Sequence, residues 1–235
     1  MVSIWQVTRE SFSFLQNNFF SIVRNLWVVV ALNILINYGM DLEGISLGDS
    51  WSTWINDLLR PLILLVLSPF YARPIFNMIV KKNFKRPNVL GMTWSKGDTR
   101  YFLWNCVLLV MFLATIALLL LLGILLGSVQ DTLGTLFLLI CFIVLIMLYM
   151  MHINRFLMTL LSFYDKKTIS FKESLTLTRG QVIKIFIATM GIFLCFFVIS
   201  HYLRYPLLGE IIETIATVLQ VITSCMVYKA ILKKA

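Results

Sequence analysis

Charged side chains are scarce in this 235-residue chain. Asp, Glu, Lys and Arg make up 13% of it, whereas hydrophobic residues make up 60%. A soluble domain is typically about 25% charged and about 45–50% apolar. The few charges are clustered, and six long apolar stretches lie between the clusters. These stretches leave no room for a separate soluble domain, so the composition predicts a single membrane-embedded domain.

Metal ligands and catalytic motifs are also sparse. The four cysteines fall singly in different apolar stretches without a C-x-x-C, and there are two histidines, His152 and His201. A structural zinc site needs about four ligands at one point, so we expect the cysteines to be small buried apolar residues. No G-x-S-x-G, H-E-x-x-H or phosphate-binding glycine loop occurs. The sequence predicts no metal site, no cofactor and no enzymatic activity.

Six apolar stretches have the length of a membrane span, which takes roughly 20 apolar residues at about 1.5 Å rise each. They lie near residues 19–38, 58–80, 101–127, 133–151, 182–203 and 211–232. We expect an all-α integral membrane protein with six transmembrane helices.

The connections between these stretches alternate in charge. Residues 39–57 carry four acids and no Lys or Arg, whereas residues 81–100 carry six basic residues and one acid. Residues 128–132 carry one Asp, and residues 152–181 carry five basic residues against two acids. Because Lys and Arg accumulate on the cytoplasmic side of short loops, the pattern predicts that both termini lie in the cytoplasm.

The net charge of +9 follows from this asymmetry. The basic residues form short clusters beside the spans, not a basic face on a soluble fold, so they do not indicate nucleic-acid binding. We expect them to fix the topology and to contact anionic lipid headgroups, each contributing about 1 kcal/mol near the surface.

Two further segments, residues 4–17 and 171–179, are amphipathic but too short and too polar to insert. Each follows a serine at the spacing of a capping box, in which two side chains satisfy orphan backbone N–H groups. Gly180 stands where the second helix should stop. We expect two interfacial helices along the cytoplasmic face. The capping pairs are Ser3 with Gln6 and Ser170 with Glu173.

Three of the five prolines, Pro61, Pro69 and Pro74, fall in the second span. Each removes a backbone donor and disfavours helix at the preceding residue, so we expect a kinked or broken helix. Broken helices frame substrate sites in some transporters, but a kinked helix also serves as a packing element. Ser68 and Arg73 precede two of these prolines and are candidate substrate contacts, although the Arg73 head could instead snorkel to the surface.

Two stretches of the sequence resemble a known family. The opening, with Ser3-Ile4, Arg9-Glu10-Ser11 and the run from Asn17 to Ile22, is similar to that of the YciC family of multi-pass inner-membrane proteins of gamma-proteobacteria. Asp165-Lys166, Ser174 and Leu177-Thr178 are similar to a second stretch of that family. The resemblance implies a bacterial inner-membrane location and about six spans. The family has no established activity, so no functional residue is carried over.

Two functions remain open from the sequence. The first is a non-catalytic membrane-integrity or assembly factor that acts through lipid headgroups or a partner membrane protein, with Arg9, Lys82 and Lys172 as candidate headgroup contacts. The second is a transporter or translocator of a small molecule or lipid, built on the proline-containing span. Inverted-repeat transporters usually break helices at matching places in both halves. The second half contains only Pro206, which we expect in a loop, so the sequence favours the first function.

Overall fold

The structure is a computed structural model that describes residues 3–47, 50–83, 94–126, 140, 156–165, 168–202 and 206–233. Regular structure in this part is entirely helical, without a strand, which confirms the expected all-α class. The helices are α1 (Ile4–Leu47), α2 (Ser50–Ile79), α3 (Lys96–Leu126), α4 (156–162), α5 (Phe171–Leu177), α6 (Val182–His201) and α7 (Pro206–Leu232).

Three of the helices in the described ranges are long and apolar enough to cross a membrane. The candidate spans are Ile4–Ile36 in α1, Val182–Ser200 in α6 and Leu207–Leu232 in α7. They correspond to the first, fifth and sixth stretches expected from the sequence. The expected fourth span, residues 133–151, lies almost wholly outside the described residues.

The N-terminal amphipathic segment and the first span are two helical pieces of α1, as the sequence predicted, and they join at a kink without a loop between them. Helix α1 bends at Asn18, whose φ of −119° and ψ of 15° are not helical. The Asn18 side-chain amide donates to the Phe14 carbonyl oxygen over 3.0 Å. Asparagine side chains compete in this way for backbone partners and so disturb a helix interior. The N-terminal arm, residues 4–17, is therefore a bent extension of the first span.

The expected first loop, residues 39–57, is also mostly helical. Helix α1 continues to Leu47 and α2 begins at Ser50, so the prediction of a long connection was wrong. A change in charge marks where a chain leaves an apolar layer, whereas a helix ends only where its backbone hydrogen bonding stops.

Pro206, expected in a loop, is instead the first residue of α7. At this position the N–H that proline lacks would have no intrahelical partner.

Helix α2 runs through Pro61, Pro69 and Pro74 as one element, so of the two outcomes expected, a kinked or a broken helix, the break does not occur. Pro69 cannot donate to the Leu65 carbonyl four residues earlier. The Ser68 hydroxyl donates to that carbonyl instead, over 2.8 Å. A neighbouring side chain thus satisfies the acceptor that proline frees, as occurs in membrane helices.

The second amphipathic segment folds as expected. Ser170 caps α5, accepting from the Glu173 N–H over 3.2 Å, and the Glu173 carboxylate accepts from the Ser170 N–H over 3.0 Å. Gly180 follows with a φ of 72°, a left-handed conformation that glycine adopts readily. At the N terminus only half of the expected box forms, because the Gln6 side chain donates to Glu10 over 2.8 Å.

The cysteines only partly match the expectation that they are buried. Cys225 in α7 is buried, but Cys106 in α3 is half-buried and Cys195 in α6 is exposed. Cys141 lies outside the described residues. The exposed cysteine lies on a helix that also exposes Leu194 and Val198, so its surroundings on the bundle surface are apolar.

The core is centred on α7, which contacts α1, α2 and α6. An aromatic cluster joins it to the rest: the Phe76 ring lies 5.5 Å from that of Tyr228 and 6.0 Å from that of Tyr164. The Tyr101 ring stacks on Tyr164 at 5.3 Å. These rings connect α2, α3, α7 and the turn after α4.

One glycine allows the close approach of α3 to that turn. A Cβ atom on Gly97 would lie 2.9 Å from the Phe163 carbonyl oxygen and 3.3 Å from the Tyr164 ring. The first of these contacts is with backbone and cannot be relieved by rotating a side chain. The start of α3 and residues 163–164 can therefore pack this tightly only with glycine at this position.

We predict that Ser68→Ala lowers the free energy of unfolding by about 1 kcal/mol, because the Leu65 carbonyl loses its donor. The same change in a Pro69→Ala background should cost much less, since the alanine restores the backbone N–H. Denaturation of the wild type and the three variants by SDS in mixed micelles measures the coupling. An equal cost in both backgrounds would contradict the exchange of donors.

We predict that Gly97→Ala destabilises the protein by about 1–3 kcal/mol, the usual cost of forcing extra volume into a packed site. Gly39→Ala is the matched control, because Gly39 is also helical and a Cβ there meets nothing within 4 Å. It should be neutral or stabilising by up to about 1 kcal/mol. Thermal denaturation in detergent compares the two, and similar melting temperatures would refute the close approach.

Candidate functional site

Several charged segments meet at the end of the bundle where the last turn of α7 lies. We call this end of the bundle the basic end. The Lys229 ammonium donates to the Ile79 carbonyl at the end of α2 over 3.2 Å. The Tyr228 hydroxyl donates to Asp165 over 3.1 Å. The second and fourth connections therefore lie at the same end of the bundle, as the alternation of charge predicted.

A buried ion pair fixes α2 to α3 beside this end. Arg73 Nη1 lies 2.5 Å from Asp98 Oδ2, and the Asp98 side chain is 0% exposed. The same oxygen accepts from the Ser95 N–H and hydroxyl, each over 2.7 Å, while the Asp98 N–H donates back to the Ser95 hydroxyl over 3.2 Å. Asp98 thus caps the start of α3, where a negative charge is favourable, and also neutralises Arg73.

Tyr164 completes this junction. Its hydroxyl and Asp98 Oδ1 are both buried, and neither makes a hydrogen bond of good geometry within the described residues. Burial raises the pKa of Tyr164, and the neighbouring Tyr101 and the Asp98 carboxylate raise it further. The phenol therefore stays protonated beside the carboxylate. The pair is enclosed by protein, which is the geometry of a structural junction.

A cavity of about 270 Å³ lies at the level of Ser68, between α2, α3, α4 and α7. Its polar lining groups are all uncharged, and several are already bonded within their own helices. Ser224 donates to the Gln220 carbonyl over 2.7 Å, and Thr217 donates to the Glu213 carbonyl over 2.9 Å. The cavity suits water or a small neutral solute, but no side chain in its lining would balance an ion. The polar lining residues are Ser68, Tyr71, Tyr101, Thr217, Gln220 and Ser224.

Two polar grooves open beside the basic end. One, of about 520 Å³, lies between the N-terminal arm and α7 and is lined by Arg9, Glu10 and Lys229 among others; we call it the arm groove. The other, of about 400 Å³, is lined by Asp165 and Lys172 among others. Each brings cations and acids together in an open surface depression.

The arm has two apolar faces where the sequence predicted one. Val7 and Ser11 are buried against the bundle. Trp5 and Phe12, seven residues apart, are exposed, with 79% of Trp5 accessible. At 3.6 residues per turn this spacing keeps the two rings near one line; we call them the aromatic stripe. The arm therefore packs on the protein with one face and presents another apolar face outward.

Glu210 and Glu213 lie at the opposite end of the bundle, the first buried and the second half-buried. Glu210 is 6% exposed, and the Ser200 hydroxyl donates to Glu213 over 2.8 Å. Beside them the Asn33 amide donates to Thr214 over 3.3 Å. Both glutamates lie in the first turns of the candidate span of α7 and not at its centre.

The five candidate contact residues do not converge on one site. Ser68 lines the inner cavity, Arg9 lines the arm groove and Lys172 lines the second groove. Arg73 is held by Asp98 and does not snorkel to the surface. Lys82 is exposed and lies three residues after the end of α2, with a φ of 52°, in the left-handed conformation that is common where a chain leaves a helix.

Sequence reasoning missed Asp98 and Lys229. Asp98 had a readable signal, because Ser95-x-x-Asp98 before an apolar run is a capping-box pattern. Lys229 had none, since its position opposite Arg9 depends on packing between the two ends of the chain. No group of three or more possible metal ligands occurs within the described ranges.

Comparison with protein-family models, curated proteins and solved structures finds no match to this chain.

We predict that Asp98→Asn destabilises the protein by about 3–5 kcal/mol, because it leaves the Arg73 charge buried without its partner. Asparagine keeps an oxygen that can accept from the Ser95 N–H, so the variant removes the negative charge and leaves the helix cap in place. Arg73→Met combined with Asp98→Asn should lose less than the sum of the single variants. Denaturation by SDS measures this coupling, and strict additivity would refute it. Lys96→Gln, an exposed change in the same turn, should stay within about 0.5 kcal/mol.

Proposed function

We propose that the protein is a non-catalytic, multi-pass protein of a bacterial inner membrane that holds lipid headgroups at its cytoplasmic face and acts as a membrane-integrity or assembly factor. It would cross the membrane six times, with both termini and the basic end in the cytoplasm. The alternation of charge along the chain supports this orientation, and the resemblance to the YciC family supports the inner-membrane location and the number of spans.

The observation that carries the proposal is the N-terminal arm. Its buried face, Val7 and Ser11, fixes it to the bundle, while the aromatic stripe faces outward. Exposed aromatic rings at the end of a span are typical of the membrane–water interface, where they settle at headgroup level. Arg9 on the same arm is exposed and would meet the phosphates there. The arm is thus suited to lie at the interface.

The inner cavity supports a second candidate, a translocator of a small neutral solute. It lies at the level of Ser68 on the proline-containing helix. Three observations favour the first function: α2 is unbroken, Arg73 is engaged by Asp98, and the Ser68 hydroxyl serves its own helix. These features indicate that α2 is a packed structural helix and not a helix that moves during transport.

A bacterial strain that lacks the protein should show increased permeability of its inner membrane to a normally excluded dye. The wild-type chain should restore the barrier, whereas Trp5→Ser combined with Phe12→Ser should not, because the arm would lose its apolar contact with the interface. Leu103→Ser, an exposed change on α3 away from the arm, is the control. Normal permeability without the protein, or full rescue by the arm variant, would contradict the proposal.

The second candidate is tested in sealed proteoliposomes. If the protein translocates a neutral solute, glycerol-driven swelling followed by light scattering should exceed that of empty liposomes, and Ser224→Leu should abolish the excess by filling the cavity. We expect no excess. Swelling that depends on the cavity would favour the translocator over the factor.

A further inference from the structure

The arm groove has a distinctive arrangement of charge. It lies between the N-terminal arm and the last turns of α7, and its volume is about 520 Å³. Arg9 and Lys229 bring two positive charges to its lining, and Glu10 brings one negative charge. A site for a purely anionic group has no use for the carboxylate, since it would repel the ligand. The lining therefore fits a ligand that carries both signs of charge.

The charged groups retain bonding capacity for such a ligand. Arg9 is exposed and makes no hydrogen bond or ion pair in the part of the chain that the structure describes. The Lys229 ammonium has three donors, of which Ile79 takes one. Gln6 donates to Glu10 Oε1 over 2.8 Å, and the second carboxylate oxygen can accept from a cation.

The chemistry of these groups selects a phosphodiester with a primary amine. Guanidinium binds phosphate through two parallel hydrogen bonds, and an ammonium adds a point charge. A carboxylate accepts hydrogen bonds from a primary ammonium, whereas a quaternary ammonium has no N–H to donate and is usually held by an aromatic cage. Phosphoethanolamine therefore matches Arg9, Lys229 and Glu10 together.

The aromatic stripe identifies the source of this group as a lipid. Trp5 and Phe12 lie on the same arm as Arg9 and are exposed, so acyl chains could pack along them while the headgroup occupies the groove. Each buried CH₂ of an acyl chain contributes about 0.8 kcal/mol. A free phosphodiester would gain nothing from this surface.

We propose that the arm groove is a headgroup site for phosphatidylethanolamine, with the phosphate on Arg9 and Lys229 and the amine on Glu10. This inference rests on the proposed lipid-binding function and names the lipid class. It assigns Glu10, a residue with no expected role, as the residue that determines specificity.

The test exposes the purified full chain in detergent to equal amounts of phosphatidylethanolamine, phosphatidylglycerol and phosphatidylcholine. Mass spectrometry measures the lipids retained after gel filtration. Wild-type protein should be enriched in phosphatidylethanolamine. Arg9→Gln should lower retention of that lipid roughly tenfold, as expected for the loss of a charge-assisted hydrogen bond. Arg9→Lys should restore part of it, and Arg179→Gln, an exposed change outside the groove, should have no effect.

Glu10→Gln is the decisive variant because it keeps the size of the side chain and removes only its charge. It should abolish the preference for phosphatidylethanolamine over phosphatidylglycerol while total lipid retention remains. A preference that survives this change, or equal retention of all three lipids by the wild type, overturns the headgroup assignment but leaves the proposed function standing. Failure to retain any lipid contradicts both. The gel-filtration profile and melting temperature of each variant establish that it is folded.

Competition with soluble glycerophosphoethanolamine distinguishes a lipid from a free phosphodiester as the ligand of the arm groove. It should displace the lipid only at large excess, because it lacks the acyl chains that contact the aromatic stripe. Trp5→Ser combined with Phe12→Ser should bring the two ligands closer in potency. Equal potency against the wild type would assign the groove to a free phosphodiester and would overturn the lipid source.

Discussion

The Arg73–Asp98 ion pair is the constraint on which the basic end depends. Neither charge could remain at this depth alone, because the desolvation of an ion in a protein interior costs several kcal/mol. Asp98 is held at the first turn of α3 by Ser95, and Arg73 lies in α2 between Pro69 and Pro74. The pair therefore fixes the helix with three prolines to the start of the next helix. Gly97, one residue before Asp98, lets the turn at 163–164 close over the pair.

This junction explains why α2 can contain three prolines without breaking. A proline weakens a helix by removing a donor, but tertiary contacts decide whether the helix then bends or stays whole. Around Pro69 the Ser68 hydroxyl satisfies the freed carbonyl. Phe76, two residues after Pro74, packs on Tyr164 and Tyr228. The helix is thus supported from outside where its own hydrogen bonding is weakest.

The features that could be predicted from the sequence are those set by neighbouring residues. The helical class follows from the apolar stretches, and the cap of α5 follows from Ser170 and Glu173 three positions apart. The bend at Asn18 falls between the expected arm, residues 4–17, and the expected first span, but the continuation of α1 to Leu47 was missed, because hydropathy records where a helix meets lipid and not where it ends. Arg73 was singled out correctly as unusual, but its partner lies 25 positions away in sequence. The proximity of Arg9 to Lys229 depends on the whole fold and has no local signal.

The arm groove shows how a local event produces a site from distant residues. A straight α1 would carry the arm onward along the axis of the first span. The Asn18 side chain takes the Phe14 carbonyl and interrupts the helix at that point, so the arm can turn and pack through Val7 and Ser11. Ser11 is 0% exposed and bonds its hydroxyl to the Val7 carbonyl over 2.8 Å. A small residue whose hydroxyl is already satisfied lets the arm lie close to the bundle. That closeness places Arg9 and Glu10 in one groove with Lys229, so the charge pattern of the groove depends on the bend at Asn18 and on the small size of Ser11.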